Sequence, residues 1–252
     1  MTWRRYFLEV SYKGSDYSGF QKQANANTIQ AEIEKAFAIF QRDRIELTGS
    51  SRTDAGVHAL QNFFHFDYPG TIHPEFVYKI NAILPEDIVV KNIQTVEDKT
   101  HCRFDAISRT YKYCIHQNKN PFLRETAHYF PYTMELEKLN EAARILKEYT
   151  DFTSFSKRNT QVKTFDCIIE QSEWIKQEDQ LVYCVKANRF LRGMVRGLTG
   201  TMLQVGRNKL SVEGLRNVIT SRDCSKADFS VPAKGLFLVK VEYPEVLGLN
   251  GV

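Results

Sequence analysis

No stretch of the sequence is apolar for long enough to span a membrane, and the opening MTWRRYFLEVSY enters an alternating pattern without the apolar core of a secretory signal. Both absences point to the cytoplasm. Cysteine is sparse and scattered: Cys102, Cys114, Cys167, Cys184 and Cys224 are odd in number and never form the close pairs that zinc sites use, so they read as reduced side chains. There is no GxxxxGKS or GxxxxGKT loop and no GxGxxG, so nothing signals a bound nucleotide. Low-complexity segments and Pro-, Gly- or Ser-rich linkers are also missing. The last absence is acid. From Gln180 to Val212 there is no Asp or Glu, while Lys186, Arg189, Arg192, Arg196, Arg207 and Lys209 all fall there. The net charge of +4 is small, but this region is strongly positive, and a polyanion is the partner it suits.

What is present is the balance of a folded chain: 42% apolar and 25% charged residues over 252 positions, enough for one large domain or two ordinary ones. Residues 6–12 alternate as a strand, and from Thr28 the spacing of Ile29, Ile33, Ala36, Phe37 and Phe40 turns helical, with Asn27 or Thr28 as cap. Strands are expected at 62–68 and near 87–96, with a short helix between them from Pro74 to Pro85. The second half repeats this loosely. It predicts strands at 109–116, 165–175, 181–187 and 235–243, and helices over 135–148, over 188–204 and from Val212, the last capped by Ser211. Two α/β halves joined near residue 105 fit this order.

The expected helix 188–204 has three sectors: an apolar stripe of Leu191, Met194, Val195, Leu198 and Met202; a basic sector of Arg189, Arg192 and Arg196; and Gly193, Gly197 and Gly200. A solvated basic face is the plain reading. The glycines argue for more, since each costs about 1 kcal/mol of helix stability relative to Ala and needs a packing or binding reason.

The candidate for chemistry is the stretch SSRTDAGVHALQ, residues 50–61. Asp54 and His58 are spaced four apart, as two metal ligands on a helix would be, but Gly56 favours a turn and no third ligand is evident. Ser50 and Ser51 lack the glycine-flanked elbow of a hydrolase nucleophile. If residues 52–54 are extended, Arg52 and Asp54 share one side and Thr53 faces away. Spacing leaves two readings open: a structural ion pair in a loop, or a carboxylate beside a cation at a cleft.

SSRTDAGVHALQ resembles the signature of the TruA family of tRNA pseudouridine synthases. YKGSDYSGFQKQ, NTIQAEIEKA, NAILPEDI, SRTYKYCI, DFTSFS, NRFLRGMVRGLTGTMLQVGRNKLS and PAKGLFLVKVEY resemble further family motifs, in order, over nearly the whole chain. The resemblance implies an α+β fold of two RRM- or ferredoxin-like halves, residues 1–105 and 106–252. The halves would share a mixed, largely antiparallel sheet with helices packed on it and a catalytic cleft between them.

It also implies a homodimer acting without cofactor or metal on uridines 38 to 40 of the tRNA anticodon arm. Asp54 would be the nucleophile, acting at the base or at the sugar. Tyr111 would stack on the target base, Arg196 would pair with the aspartate, and Leu236 would pack against the site. Arg52 would manage the flipped base. Arg189 and Arg192, with Lys157, Arg158 and Lys163, would meet the RNA backbone. The family usually has Gly where this chain has Ser51; a positive φ there would strain serine. Two rival readings are a non-catalytic RNA-binding protein and a metal-dependent hydrolase using Asp54 and His58.

Overall fold

The computed structural model of the protein describes residues 2–158 and 162–249. In chain order the elements are β1 (Trp3–Tyr12), α1 (Ile29–Gln41), β2 (Thr48–Gly49), β3 (His58–Pro69), α2 (Phe76–Asn81), β4 (Ile88–Val96), β5 (Ser108–His116) and β6 (His128–Tyr129). Then follow α3 (Leu136–Ile145), β7 (Ile169–Gln177), β8 (Gln180–Ala187), α4 (Met194–Gly206), α5 (Val212–Thr220) and β9 (Leu236–Glu242). The fold is α+β, with mixed strand pairing and helices packed on the strands. The chain forms two units, Met1–Ile107 with Leu238–Val252, and Ser108–Phe237.

In the first unit β1 lies between β4 and β3, antiparallel to both, with Leu8 opposite Phe64 on one side and Ile93 on the other. β9 lies on the far side of β3. The strand is central because its side chains are apolar on both faces: Tyr6, Phe7, Leu8, Val10 and Tyr12 are all buried. On one face Phe37 of α1 meets Phe66 of β3 edge-on at 5.5 Å and Phe76 of α2 at 5.7 Å. Phe7 and Phe63 instead meet Tyr243, which follows β9, at 5.5 and 5.1 Å. The Thr28 hydroxyl accepts from Ala31 N at 3.3 Å and starts α1, a cap worth about 1 kcal/mol. The expected helix up to Pro85 is shorter, ending at Asn81, whose carboxamide bonds both the N–H and the carbonyl of Val90 in β4 at 2.8 Å.

In the second unit β8 is antiparallel to β5 and β7, while the two-residue β6 runs parallel to β5. Trp174 stacks on Tyr183 at 5.2 Å, and Asn140 of α3 grips the Trp174 peptide from both sides at 2.8 and 2.9 Å. Ser211 caps α5 through Gly214 N at 2.9 Å.

The expected helix over 188–204 begins later, at Met194. Residues 188–193 bond elsewhere: Asn188 N donates to Ile168 O, and Arg192 O accepts from Lys157 N. Gly193 is the cap, at φ +76°, a left-handed conformation that glycine adopts without strain. The sequence pattern ran on because Leu191 is buried in the preceding turn as it would be on a helix. Arg189 and Arg192 therefore precede α4, and only Arg196 of the three is on it. Gly200 has a packing reason: a β-carbon there would lie 2.2 Å from the Asp228 carbonyl oxygen.

Candidate active site

Residues 50–57 form a loop in which the side chains of residues 51–54 alternate in and out, as period two demands. Ser51 and Thr53 are buried, Arg52 is exposed and Asp54 half-buried. The inward positions are tied to the strands. Ser50 N continues the β2–β3 ladder to Phe63 O at 2.8 Å, and the Asn62 carboxamide then takes over, bonding Ser51 N at 3.3 Å and Ser51 O at 2.9 Å. The Thr53 hydroxyl meets the Tyr12 hydroxyl at 2.8 Å, and Thr53 O accepts from Phe20 N at 3.1 Å. Val57 N donates to Asp54 O at 3.2 Å, closing a turn. His58, fully inside, accepts from Gly14 N at Nδ1. Asp54 and His58 thus lie on a turn with opposite exposures, which does not favour their use as a metal pair.

Among the described residues Arg52 and Asp54 form no ion pair, although they face the same way. The carboxylate and the guanidinium are both presented outward, where a ligand reaches them. Ser51 has no positive φ, so serine in place of the usual glycine causes no backbone strain; its hydroxyl is buried without a hydrogen-bond partner among the described residues.

In the second unit Tyr111 is half-buried on β5, opposite Val185, with its ring edge-on to Phe190 at 5.0 Å. Its strand neighbours on the same face, Tyr113 and Ile115, are fully buried, so only Tyr111 of the three offers ring surface. Tyr113 donates to Pro232 O at 2.7 Å, and burial pushes its hydroxyl pKa up. Arg196 is half-buried and anchored: Nε donates to Val231 O at 2.8 Å and Nη2 to Phe229 O at 3.4 Å. Carbonyl partners fix its direction without neutralising its charge. Leu236 is buried at the start of β9.

The other cations differ in what holds them. Arg189 donates to the Thr164 hydroxyl at 3.3 Å; Arg192 and Lys163 are exposed; Lys157 packs its stem on Gly193. Lys186 pairs with Glu170 and Arg207 stacks on Tyr132, with 3.6 Å to the ring centre, so these two serve the fold.

Among the described residues the group that could hold a metal is His65, His101 and Cys102, none of them in the motif. Hydrogen bonds already occupy it. His101 Nδ1 accepts from Arg103 N at 3.1 Å and Phe104 N at 3.4 Å, which puts that ring's proton on Nε2. His65 Nδ1 accepts from Cys102 N at 3.3 Å, and the Cys102 thiol donates to Thr48 O.

Sequence reasoning did not identify Tyr12 or Asn62, which hold the motif loop from β1 and β3. The available signal was Asn62 itself, a polar residue inside the apolar strand NFFHF.

A sequence model of the family described as tRNA pseudouridine synthase matches residues 9–105 and 142–244. Two similar proteins, each named tRNA pseudouridine synthase A, come from Parabacteroides distasonis and Bacteroides thetaiotaomicron. The first is 46% identical over 97% of this chain and 98% of its own, the second 46% over 96% and 91%. A protein of the same name from Staphylococcus aureus is 35% identical over 96% of this chain and 91% of its own. Matches of this extent, carried by both units, make the chain a member of the tRNA pseudouridine synthase family.

Proposed function

We propose that this protein is an isomerase that converts uridine to pseudouridine in tRNA, with Asp54 as its nucleophile. The observation that carries the reading is the motif loop. It spends its inward residues, Ser51 and Thr53, on the strands and presents Arg52 and Asp54 outward, in a chain whose nearly full length resembles proteins named for this activity. A family member that only bound RNA would gain nothing from a carboxylate facing a polyanion.

The reaction breaks the bond from the ribose C1′ to uracil N1 and forms one from C1′ to C5. The C5 proton leaves and N1 gains one. Atoms and oxidation state are conserved, so the balance requires no redox partner or nucleotide. Asp54 forms the covalent intermediate, at the base or at the sugar, that lets the uracil detach and turn. Tyr111 supplies a half-exposed ring to stack on the base and an oxygen to help remove the C5 proton. Arg196, aimed by two carbonyls, is the cation that orients the aspartate, and Leu236 packs against the base.

A uridine in a stem must leave its stack at a cost of a few kcal/mol, and Arg52 offsets part of this by holding the phosphate or filling the gap. Arg189, Arg192, Lys157, Arg158 and Lys163 meet the RNA backbone from outside the helix. We assign the target to positions 38 to 40 of the anticodon arm and the working form to a cytoplasmic homodimer, both on the resemblance. The β–α–β–β–α–β succession from β1 to β4 in the first unit, with β1 between β3 and β4, supports an RRM-like reading of that half.

The test is nucleotide-resolution mapping of pseudouridine in an unmodified tRNA transcript. Wild type is expected to modify positions 38 to 40, and Asp54→Asn to bind the tRNA without modifying it. Product from Asp54→Asn would remove the nucleophile assignment.

A further inference from the structure

Asn62 is a wholly buried polar side chain in the middle of β3. A carboxamide in such a place destabilises the fold unless it is fully hydrogen-bonded, and an apolar residue of similar volume would fill the space without that demand. Every bond of this carboxamide is made, and three of the four go toward the motif loop or its support. Oδ1 accepts from Ser51 N at 3.3 Å and Phe63 N at 2.9 Å; Nδ2 donates to Ser51 O at 2.9 Å and to the Tyr12 hydroxyl at 3.1 Å. Tyr12 passes the contact on to the Thr53 hydroxyl at 2.8 Å. The residues on either side of Arg52 are thus held by one side chain, directly and through one hydroxyl. The side chains of Arg52 and Asp54 have no hydrogen-bond or ion-pair partner of their own among the described residues. Their direction depends on how firmly Ser51 and Thr53 are fixed.

The geometry points to Asn62 as a positioning residue for the isomerisation, acting through Ser51 and, by way of Tyr12, through Thr53 to hold the Asp54 carboxylate in its reactive direction. This rests on the reading of Asp54 as the nucleophile. Asn62 touches neither the RNA nor the reacting atoms. A side chain whose aim is off by an ångström loses much of the rate while the fold persists.

The same two-bond grip occurs where no motif is involved, and it provides the structural control. Asn140 holds the Trp174 peptide in the second unit as Asn62 holds that of Ser51. Asn140→Asp should lower the melting temperature and leave the chemistry alone.

The experiment is a single-turnover measurement of pseudouridine formation, with enzyme in saturating excess over an unmodified tRNA transcript, alongside tRNA affinity and thermal melting. Asn62→Asp keeps the shape but removes the donor, and Tyr12→Phe removes one oxygen. Each is expected to slow the chemical step about 10-fold to 100-fold while tRNA affinity stays within about threefold of wild type. The double variant should be little slower than the worse single one, because both act through one chain of contacts. Folded variants with the wild-type single-turnover rate, or a loss confined to tRNA affinity, would overturn the inference. If Asn62→Asp does not fold, Tyr12→Phe alone decides. Asp54→Asn separates the two assignments. If it is inactive while Tyr12→Phe runs at full rate, only the role of Asn62 fails; if it is active, the nucleophile reading fails and this one with it.

Discussion

Gly14 stands so close to Val57 that a β-carbon on it would lie 2.0 Å from the Val57 carbonyl oxygen. Its amide also donates to His58 Nδ1 at 3.1 Å, so the loop after β1 is pressed against the end of the motif turn. The obstruction is backbone on both sides, and neither can swing away as a flexible side chain would. Gly14→Ala is expected to cost about 1–3 kcal/mol or more of stability, as overpacking does. Urea unfolding checks this, and a wild-type midpoint would refute the contact.

Arg196 owes its direction to two carbonyl oxygens, those of Val231 and Phe229. Arg196→Lys keeps the charge but has no planar fork to meet both carbonyls at once. Turnover on tRNA is expected to fall about tenfold or more, with a smaller change in KM, since orientation rather than charge is lost. Steady-state kinetics on a transcript would show it; unchanged kcat would mean that the ammonium serves as well.

Ser51 buries a hydroxyl that gains nothing from the described residues around it. Ser51→Ala removes the oxygen and leaves the backbone bonds to Asn62 intact. Stability should rise by up to about 1 kcal/mol, because the removed group was desolvated without return. A clear loss of melting temperature would show that the hydroxyl is bonded after all.

His65 and His128 are held far from their usual protonation. Burial, then the neighbouring His101 and Arg5, brings the His65 pKa down to about 4; burial, then Lys234 and His116, does the same for His128. Unfolded imidazoles titrate near 6.5, so the unfolded chain binds more protons than the folded one as pH drops below that value. The stabilisation is full above pH 6.5 and is lost progressively as pH falls toward 4. Unfolding at pH 7 and pH 5 should show lower stability at pH 5. Histidine NMR should show the His65 and His128 rings still neutral at pH 5, and normal titration of both would contradict their burial.

Much of this was legible in the sequence wherever one short-range pattern decided the outcome. Alternation in YFLEVSY placed β1, and Thr28 and Ser211 marked the starts of α1 and α5. Period two alone put Arg52 and Asp54 on the side opposite Thr53. The start of α4 was misread because burial of Leu191 imitates a helical stripe, and the stop signal was Gly193, taken as part of the wheel. The glycines did announce a close backbone approach, but nothing local names Asp228 as the segment that approaches Gly200. The support of the motif loop was beyond such patterns, since Tyr12 meets Thr53 across 41 positions and Asn62 across 50.

The first unit is not one continuous piece of chain, for Ser108–Phe237 is spelled out before Leu238–Val252 returns to it. A ribosome therefore begins this unit before the second one and finishes it after. Until β9 and Tyr243 emerge, β3 has no β9 beside it and Phe7 and Phe63 have no Tyr243 to cover them. The unit carrying Asp54 is left with a bare strand edge and bare aromatic rings, while the whole of the second unit is already synthesised and free to fold. During synthesis the motif is made before the second unit, and the unit that holds the motif is completed only after it.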